Sequence, residues 1–172
     1  TDIKPNRQTR LKQSIQDILQ QSKEGDIALV AFAGEGFVIS PFSQDRETIT
    51  HFLLALEPII MPVYGSNLTD GIKTALSLHK NPAARLHLIV LTDSLNDQDK
   101  EQIPKLLKGL NIKLDLIAVG NQKGDIIKLP PDGRVLRQNG KNVIPNTPLD
   151  ALEAFTHQLG GDFYHGRLIA QQ

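Results

Sequence analysis

The sequence predicts an α/β domain of three layers, with helices on both faces of a doubly wound, mostly parallel sheet. Apolar segments of strand length alternate with segments of helical periodicity along the 172 residues, as a parallel sheet requires. The runs at 27–33, 86–91 and 114–119 are apolar apart from His87 and Asp115, which is typical of strands buried on both faces. The length and this order favour a single domain over residues 1–172.

The first half of the chain is predicted to contain two helices and a hairpin. Only Gly34-Glu35-Gly36 separates its two strands, which is too short for a crossover, so they should form an antiparallel pair at one edge. The elements expected here are a helix at about 7–23, strands at 27–33 and 37–42, a helix at 43–56 and a loop at 58–65.

The second half is predicted to alternate helices with single strands. Pro104 should lie within the first turns of its helix, and Gly160-Gly161 should end the last helix. The elements expected here are a helix opening at Ser66, a strand at 86–91, a helix at about 97–110, a strand at 114–119, a helix at about 149–159 and a short strand at 162–165.

Residues 120–148 interrupt this alternation. Pro130-Pro131-Asp132-Gly133 and Asn139-Gly140 are strong turn signals, with short strands expected at 126–129, 134–136 and 142–144. We interpret the segment at about 121–147 as a peripheral β-hairpin insert that faces a partner.

The composition excludes several classes of function. Lys plus Arg and Asp plus Glu both number 19, so the net charge is zero and no nucleic-acid-binding surface is expected. The absence of cysteine excludes disulfides, thiolate metal sites and cysteine nucleophiles. No apolar run approaches the ~20 residues that span a bilayer. The chain opens on Thr1 without a signal peptide, so we interpret it as a piece of a longer protein.

The loops that follow the strands are the predicted place for a ligand, because open α/β sheets bind beyond the carboxyl ends of their strands. Asp93 and Ser94 follow an apolar strand, and a carboxylate there suits a hard cation such as Mg²⁺. Ser66 precedes a helix and can direct its hydroxyl to the same cation. The alternative is that Ser66 caps the third helix and that Asp93 or Ser94 caps the fourth.

No catalytic motif is present. The five histidines are scattered, with no pair at i, i+4, so a zinc pair is not expected. There is no Gly-x-Ser-x-Gly elbow. Gly34-Glu35-Gly36 lacks a third glycine and opens a hairpin, so a dinucleotide site is not expected either. The chain is therefore predicted not to be an enzyme.

Five segments, in this order, resemble the von Willebrand factor A (VWA) domain of the bacterial Bat (aerotolerance) proteins, of the BatB type. They are Asp2-Ile3-Lys4-Pro5-Asn6-Arg7, Ile27-Ala28-Leu29-Val30-Ala31-Phe32-Ala33-Gly34, Pro41-Phe42-Ser43-Gln44-Asp45, Ile60-Met61-Pro62-Val63-Tyr64-Gly65-Ser66-Asn67 and Val90-Leu91-Thr92-Asp93. The resemblance covers essentially the whole chain and implies the Rossmann-like VWA fold.

The resemblance also implies a metal-ion-dependent adhesion site. In the family this site combines an Asp-x-Ser-x-Ser loop after the first strand with a Thr and an Asp from later loops. Ser66 matches the Thr position and Asp93 the Asp position, with Gly65, Asn67 and Ser94 as the partner-binding rim. The first strand and its loop would lie upstream of Thr1. Mg²⁺ or another divalent cation is therefore expected in the intact parent, and only weak or no binding by residues 1–172.

In the family, the first strand lies at the centre of the sheet, between the strands that match 27–32 and 86–91. Without it, each of these two strands has an edge with no neighbouring strand. We expect upstream residues, exchange with a second chain or a rearranged sheet to compensate, and we favour the exchange. The implied function is a protein-interaction module of a membrane-associated bacterial complex. Its expected partners are proteins, including other Bat-type membrane proteins. The parent would be anchored in the inner membrane with this domain periplasmic, and the fragment itself would be soluble. A metal-independent scaffold is the alternative, and a hydrolase or nucleotide-binding enzyme is a remote one.

Overall fold

The computed structural model describes residues 7–56, 65–119 and 147–165, together with the backbone of four two-residue strands between 128 and 142. In chain order the elements are α1 (Arg7–Gln21), β1 (Ile27–Phe32), β2 (Gly36–Ser43), α2 (Arg46–Ala55), α3 (Leu68–Leu78), β3 (Leu86–Thr92), α4 (Asp97–Leu107), β4 (Ile112–Ala118), β5 (Lys128–Leu129), β6 (Arg134–Val135), β7 (Arg137–Gln138), β8 (Lys141–Asn142), α5 (Leu149–Gln158) and β9 (Phe163–His165). Within these ranges, no helix has the length and apolar character that crossing a bilayer requires.

The main strands form one antiparallel pair and one parallel sheet. β1 and β2 pair antiparallel, as the short turn between them predicts. β3, β4 and β9 are parallel and lie in the order β3-β4-β9, with β3 and β4 in register from Leu86↔Ile112 to Thr92↔Ala118. Parallel strands joined through helices, with one antiparallel edge pair, confirm the predicted fold class.

Helices cover the strands from two sides and produce two apolar cores. In the larger core, α3, α4 and α5 pack against β3 and β4 through Leu68, Ile72, Ile103, Leu152, Phe155, Val90, Leu114, Leu116 and Ala118. In the smaller core, Leu19 of α1 meets Ile49 and Leu53 of α2, with Ile27 and Leu29 of β1 packed against them. Each buried Leu, Ile or Phe side chain contributes roughly 1.5–3 kcal/mol to stability.

A gap separates β1 from β3. In the described part of the chain, β1 pairs only with β2, and β3 pairs only with β4. A cavity of about 1110 Å³ lies between the two strands and is lined by both of them and by α1, α2 and α3. All six residues of β1 are partly exposed, although their apolar sequence is typical of a strand buried on both faces. The gap lies where the resemblance places the family's first strand.

Several helix boundaries differ from those predicted. α1 ends at Gln21 rather than near Lys23, and α3 begins at Leu68 rather than Ser66 because Asn67 caps it. α2 begins at Arg46 rather than Ser43, because Ser43 still belongs to β2 and Asp45 caps the helix by accepting a hydrogen bond from the Thr48 amide. α4 ends at Leu107 rather than Leu110, ahead of Gly109, whose φ of 77° lies in the left-handed region. α4 begins at Asp97, as predicted, so Pro104 lies in the interior of the helix and not in its first turns.

Short strands flank the two turns predicted between residues 120 and 148. β5 pairs antiparallel with β6, on either side of the Pro130–Gly133 turn, and β7 pairs with β8 on either side of Asn139-Gly140. The turns themselves and most of the segment at 121–147 lie outside the described residues. Its interpretation as a peripheral insert remains a prediction.

Candidate functional site

Three loops meet where β1 and β3 end. The Asn67 amide, just before α3, donates to the carbonyl of Ala33 after β1 at 2.7 Å, and its side-chain Nδ2 donates to Gly34 O at 3.2 Å. Asn96 Nδ2, in the loop after β3, donates to Ser66 O at 3.2 Å. The carboxyl ends of β1 and β3 therefore lie at the same side of the molecule, which is the side where α/β sheets bind ligands.

The structure brings two of the predicted site hydroxyls together. Ser66 Oγ lies 2.7 Å from Ser94 Oγ, so the two serines share a hydrogen bond. Ser94 is held in turn by Thr92, whose buried hydroxyl donates to Ser94 O at 3.0 Å. Asp93 and Ser66 both line the same cavity, the one between β1 and β3. Residues from two separate loops thus converge at one place.

Neither Ser66, Asp93 nor Ser94 caps a helix, so the capping alternative is wrong. Asn67 caps α3, with its Oδ1 accepting from the Asp70 amide at 3.0 Å. Asn96 caps α4, with its Oδ1 accepting from the Asp99 amide at 2.7 Å. Asn is as good a cap as Ser, and an acidic residue three positions after each Asn is the capping-box spacing. That spacing was available in the sequence.

Two aspartates that sequence reasoning missed join the loops to one another. Asp70 Oδ2 accepts from the Gly36 amide at 2.7 Å, which ties the β1–β2 turn to α3. Asp99 Oδ1 accepts from the Thr69 amide at 2.9 Å and from Thr69 Oγ1 at 2.7 Å, which ties α4 to α3. Both contacts span about 30 residues of sequence, so no local pattern points to them.

The backbone around Ser66 is shaped by a close approach of two glycines. Gly65 has a φ of 136°, and a Cβ on it would lie 3.4 Å from Gly34 Cα. Of the predicted rim, Gly65 is exposed, while Asn67 and Ser94 are partly buried and make the contacts above. Residues 61–64, just before Gly65, and the loop from Gly120 onward lie outside the described residues.

The donor chemistry of this cluster suits a hard divalent cation. Asp93 offers a carboxylate and Ser66 a hydroxyl, and Mg²⁺ prefers such oxygens, often with one or two carboxylates and several waters. Over residues 7–56, 65–119 and 147–165, no group of three or more His, Cys, Asp or Glu side chains could hold a metal ion. These residues therefore fit part of a metal site, with few protein ligands.

Comparison with known proteins points to one family and one fold. The von Willebrand factor type A domain family matches residues 1–96. An uncharacterized protein of Borreliella burgdorferi is 36% identical over 124 residues, which is 69% of this chain and 36% of that protein. The chain thus spans about a third of that relative's length.

Solved structures share the fold at low sequence identity. An aerotolerance-related membrane protein from Bacteroides fragilis gives a TM-score of 0.85 at 16% identity, covering 96% of this chain and 84% of that one. The conserved hypothetical protein BatB from Bacteroides thetaiotaomicron gives 0.80 at 17% identity, covering 96% and 82%. Proximal thread matrix protein 1 from the mussel byssus, with a zinc-occupied metal-ion-dependent adhesion site, gives 0.50 at 20% identity, covering 64% and 30%.

Proposed function

The chain belongs to the von Willebrand factor type A domain family, and from that premise we propose that it is a protein-interaction module. Its binding face is the cluster of loops at the carboxyl ends of β1 and β3, around Ser66, Asp93 and Ser94. The observation that carries the proposal is the convergence of Ser66 and Ser94, whose hydroxyls are 2.7 Å apart in loops from different parts of the chain. Hydroxyls and a carboxylate at a strand-end loop cluster form an oxygen-rich surface suited to binding.

The proposed site uses a divalent cation, Mg²⁺ or a similar ion. Asp93 and Ser66 would hold it, while Ser94 orients the Ser66 hydroxyl. Once bound, the cation supplies an electropositive position that accepts an oxygen from a partner protein. A structurally similar mussel protein carries zinc at such a site, which supports a metal-dependent use of this fold. Residues 1–172 alone are expected to bind weakly, because Mg²⁺ needs several placed oxygens.

The setting we propose is a membrane-associated bacterial complex. Of the solved structures reported above, the one with a TM-score of 0.85 is described as an aerotolerance-related membrane protein, and the one with 0.80 is described as BatB. The relative from Borreliella is nearly three times longer than the matched part, which leaves room for membrane anchors in a whole protein. Partners would be proteins, including other Bat-type membrane proteins, with this domain on the periplasmic side. The role is non-catalytic.

Titrating the full-length protein with Mg²⁺ while following its thermal unfolding tests the metal site. A ligand that binds only the folded state stabilises it by about 2.7 kcal/mol at 100 times its Kd. We expect Asp93→Ala to abolish this gain, and its separate cost to stability, about 1 kcal/mol, is measured without metal in EDTA. Asp97→Ala is the matched control. Asp97 is the first residue of α4, the helix that follows Asp93, and its side chain is 99% exposed.

The two alternatives give different results in the same titration. A normal Mg²⁺ response in Asp93→Ala would remove Asp93 from the site. If the unaltered full-length protein showed no response but still co-purified with its membrane partners in EDTA, the metal-independent scaffold would be the better account.

A further inference from the structure

We propose that Asp99 is a positioning residue for this site: its buried carboxylate holds the turn that carries Ser66 against the loop that carries Asp93 and Ser94. The effect of Asp99 on binding rests on the proposed function, because the spacing of the Ser66 and Asp93–Ser94 loops affects binding only if these loops form the binding face. The structural part of the inference stands on the contacts of Asp99 alone.

Asp99 reaches from one helix to the start of another. It lies in the first turn of α4 and is 1% exposed. Its Oδ1 accepts hydrogen bonds from the Thr69 amide at 2.9 Å and from Thr69 Oγ1 at 2.7 Å, and Thr69 is 2% exposed. Thr69 is in the first turn of α3, three residues after Ser66. The contact therefore holds the Ser66 turn from its carboxyl side.

A second set of contacts runs from Asp99 to Ser66 through Asn96. Asn96 Oδ1 accepts from the Asp99 amide at 2.7 Å, and the Asn96 amide faces Asp99 Oδ2 at 3.5 Å. Asn96 Nδ2 then donates to Ser66 O at 3.2 Å. Asp99 and Asn96 thus hold both sides of the Ser66 turn, and the same two residues begin the helix that follows Ser94.

Helix capping alone does not account for this arrangement. Asp99 Oδ2 completes the capping box of α4 with the Asn96 amide, but Oδ1 makes no bond within α4 and accepts from Thr69 of α3 instead. Burying a carboxylate is costly unless hydrogen bonds and positive charge compensate. Here the amino ends of two helices compensate it, because both dipoles favour a negative charge at that point. The buried Asp99 side chain therefore keeps all its hydrogen bonds only while the two loops stay together, in the arrangement that places Ser66 Oγ 2.7 Å from Ser94 Oγ.

The test combines amide hydrogen exchange with Mn²⁺ binding by the full-length protein. Asp99→Asn keeps the size of the side chain but replaces one of the two accepting oxygens with an NH₂ group. That group faces a donor, either on Thr69 or on the Asn96 amide. Thr69→Val removes one donor at constant volume, and Thr69→Ser restores it. Asp97→Asn is the matched control, as an equal charge in the same helical turn with its side chain 99% exposed.

We expect amides 65–67 and 93–96 to exchange at least about tenfold faster in Asp99→Asn and in Thr69→Val. The same amides should exchange at wild-type rates in Thr69→Ser and Asp97→Asn. Amides of the β3–β4 core should change little in any of these variants. The Mn²⁺ affinity of the two loosened variants should fall by about tenfold or more. If Asp99→Asn does not fold, the contrast between Thr69→Val and Thr69→Ser decides.

Unchanged exchange at these amides, or a uniform rise across the whole domain, would overturn the positioning role. Faster exchange confined to the loops, together with no Mn²⁺ binding by the unaltered protein, would support the positioning role and contradict the metal-dependent function. The two proposals can therefore fail separately.

Discussion

At the scale of single residues, Asp115 in β4 connects three parallel strands. It is 5% exposed. Its Oδ2 accepts from His87 Nε2 of β3 at 2.6 Å and lies 3.2 Å from Lys113 Nζ, and its Oδ1 accepts from the Asp162 amide just before β9 at 2.8 Å. Burial raises the pKa of Asp115, but the hydrogen bonds from Asp162, His87 and Lys113 outweigh it, so the pKa lies below its ordinary value.

This lowered pKa makes Asp115 a source of acid sensitivity. A carboxyl whose pKa is lower in the folded state contributes fully above its unfolded pKa, near 3.8, and the contribution disappears as the pH falls through the folded pKa. We expect Asp115→Asn to lower the free energy of unfolding by about 1.5–3 kcal/mol at pH 7 and by much less at pH 2. Urea unfolding at both pH values measures this.

The control for that measurement is Asp150→Asn, which changes an exposed aspartate in the first turn of α5. It should leave the unfolding midpoint nearly unchanged at both pH values. An equal loss of stability for Asp115→Asn at pH 7 and pH 2 would show that packing, and not the charge, explains its effect.

At the scale of elements, the sequence predicts those parts of the fold whose signal is local. β3 and β4 follow from predominantly apolar runs, and the end of α5 follows from Gly160, whose φ is 75°. The start of α2 does not, because Ser43 and Asp45 are both plausible caps and only the continued pairing of Ser43 in β2 decides between them.

The candidate site was likewise predictable only in part. Its position at strand ends was predictable, and Ser66 does meet the loop of Asp93 and Ser94. The choice of Asn67 over its neighbour Ser66 as the cap could also be predicted, because only Asn67 has an acidic residue, Asp70, at the capping-box spacing. Asp99 was not predictable as a link to Thr69, because that contact spans 30 residues and depends on how two helices pack.

The junction between α5 and β9 supplies the prediction at this scale. A Cβ on Gly161 would overlap the carbonyl oxygen of Leu114 in β4, which as backbone cannot easily move. Gly161→Ala should therefore cost about 3 kcal/mol or more and release β9 from β4, visible as fast amide exchange at 163–165. Gly160→Ala meets open space and only strains a positive φ, so about 1–2 kcal/mol is expected. Equal effects of the two substitutions would contradict this packing argument.

At the scale of the whole molecule, the divided sheet is the main physical problem. β1 and β3 each turn an edge toward the cavity of about 1110 Å³ that separates them. In the described part of the chain neither edge pairs with a further strand, and β1 is apolar along its whole length. Such edges recruit other strands. The helix α3 contacts both β1 and β2 and packs on α4, so it holds the two sheets in one body across the gap. Among the residues that the structure describes, the position between β1 and β3 is thus left open for one strand.

Residues 1–172 purified on their own are therefore expected to fill this position by exchange between chains. Light scattering should give a mass above the 19.0 kDa of one chain. Val30→Lys, in the β1 strand that lines the cavity, should reduce the association, because a lysine at a free edge opposes pairing. Val38→Lys is the matched control, since Val38 is the cross-strand partner of Val30 on β2 and is already 43% exposed. A well-folded monomer of the unaltered chain would contradict the exchange and require the sheet to close in some other way. Association that both lysine variants reduce equally would assign it to the outer edge of β2 instead.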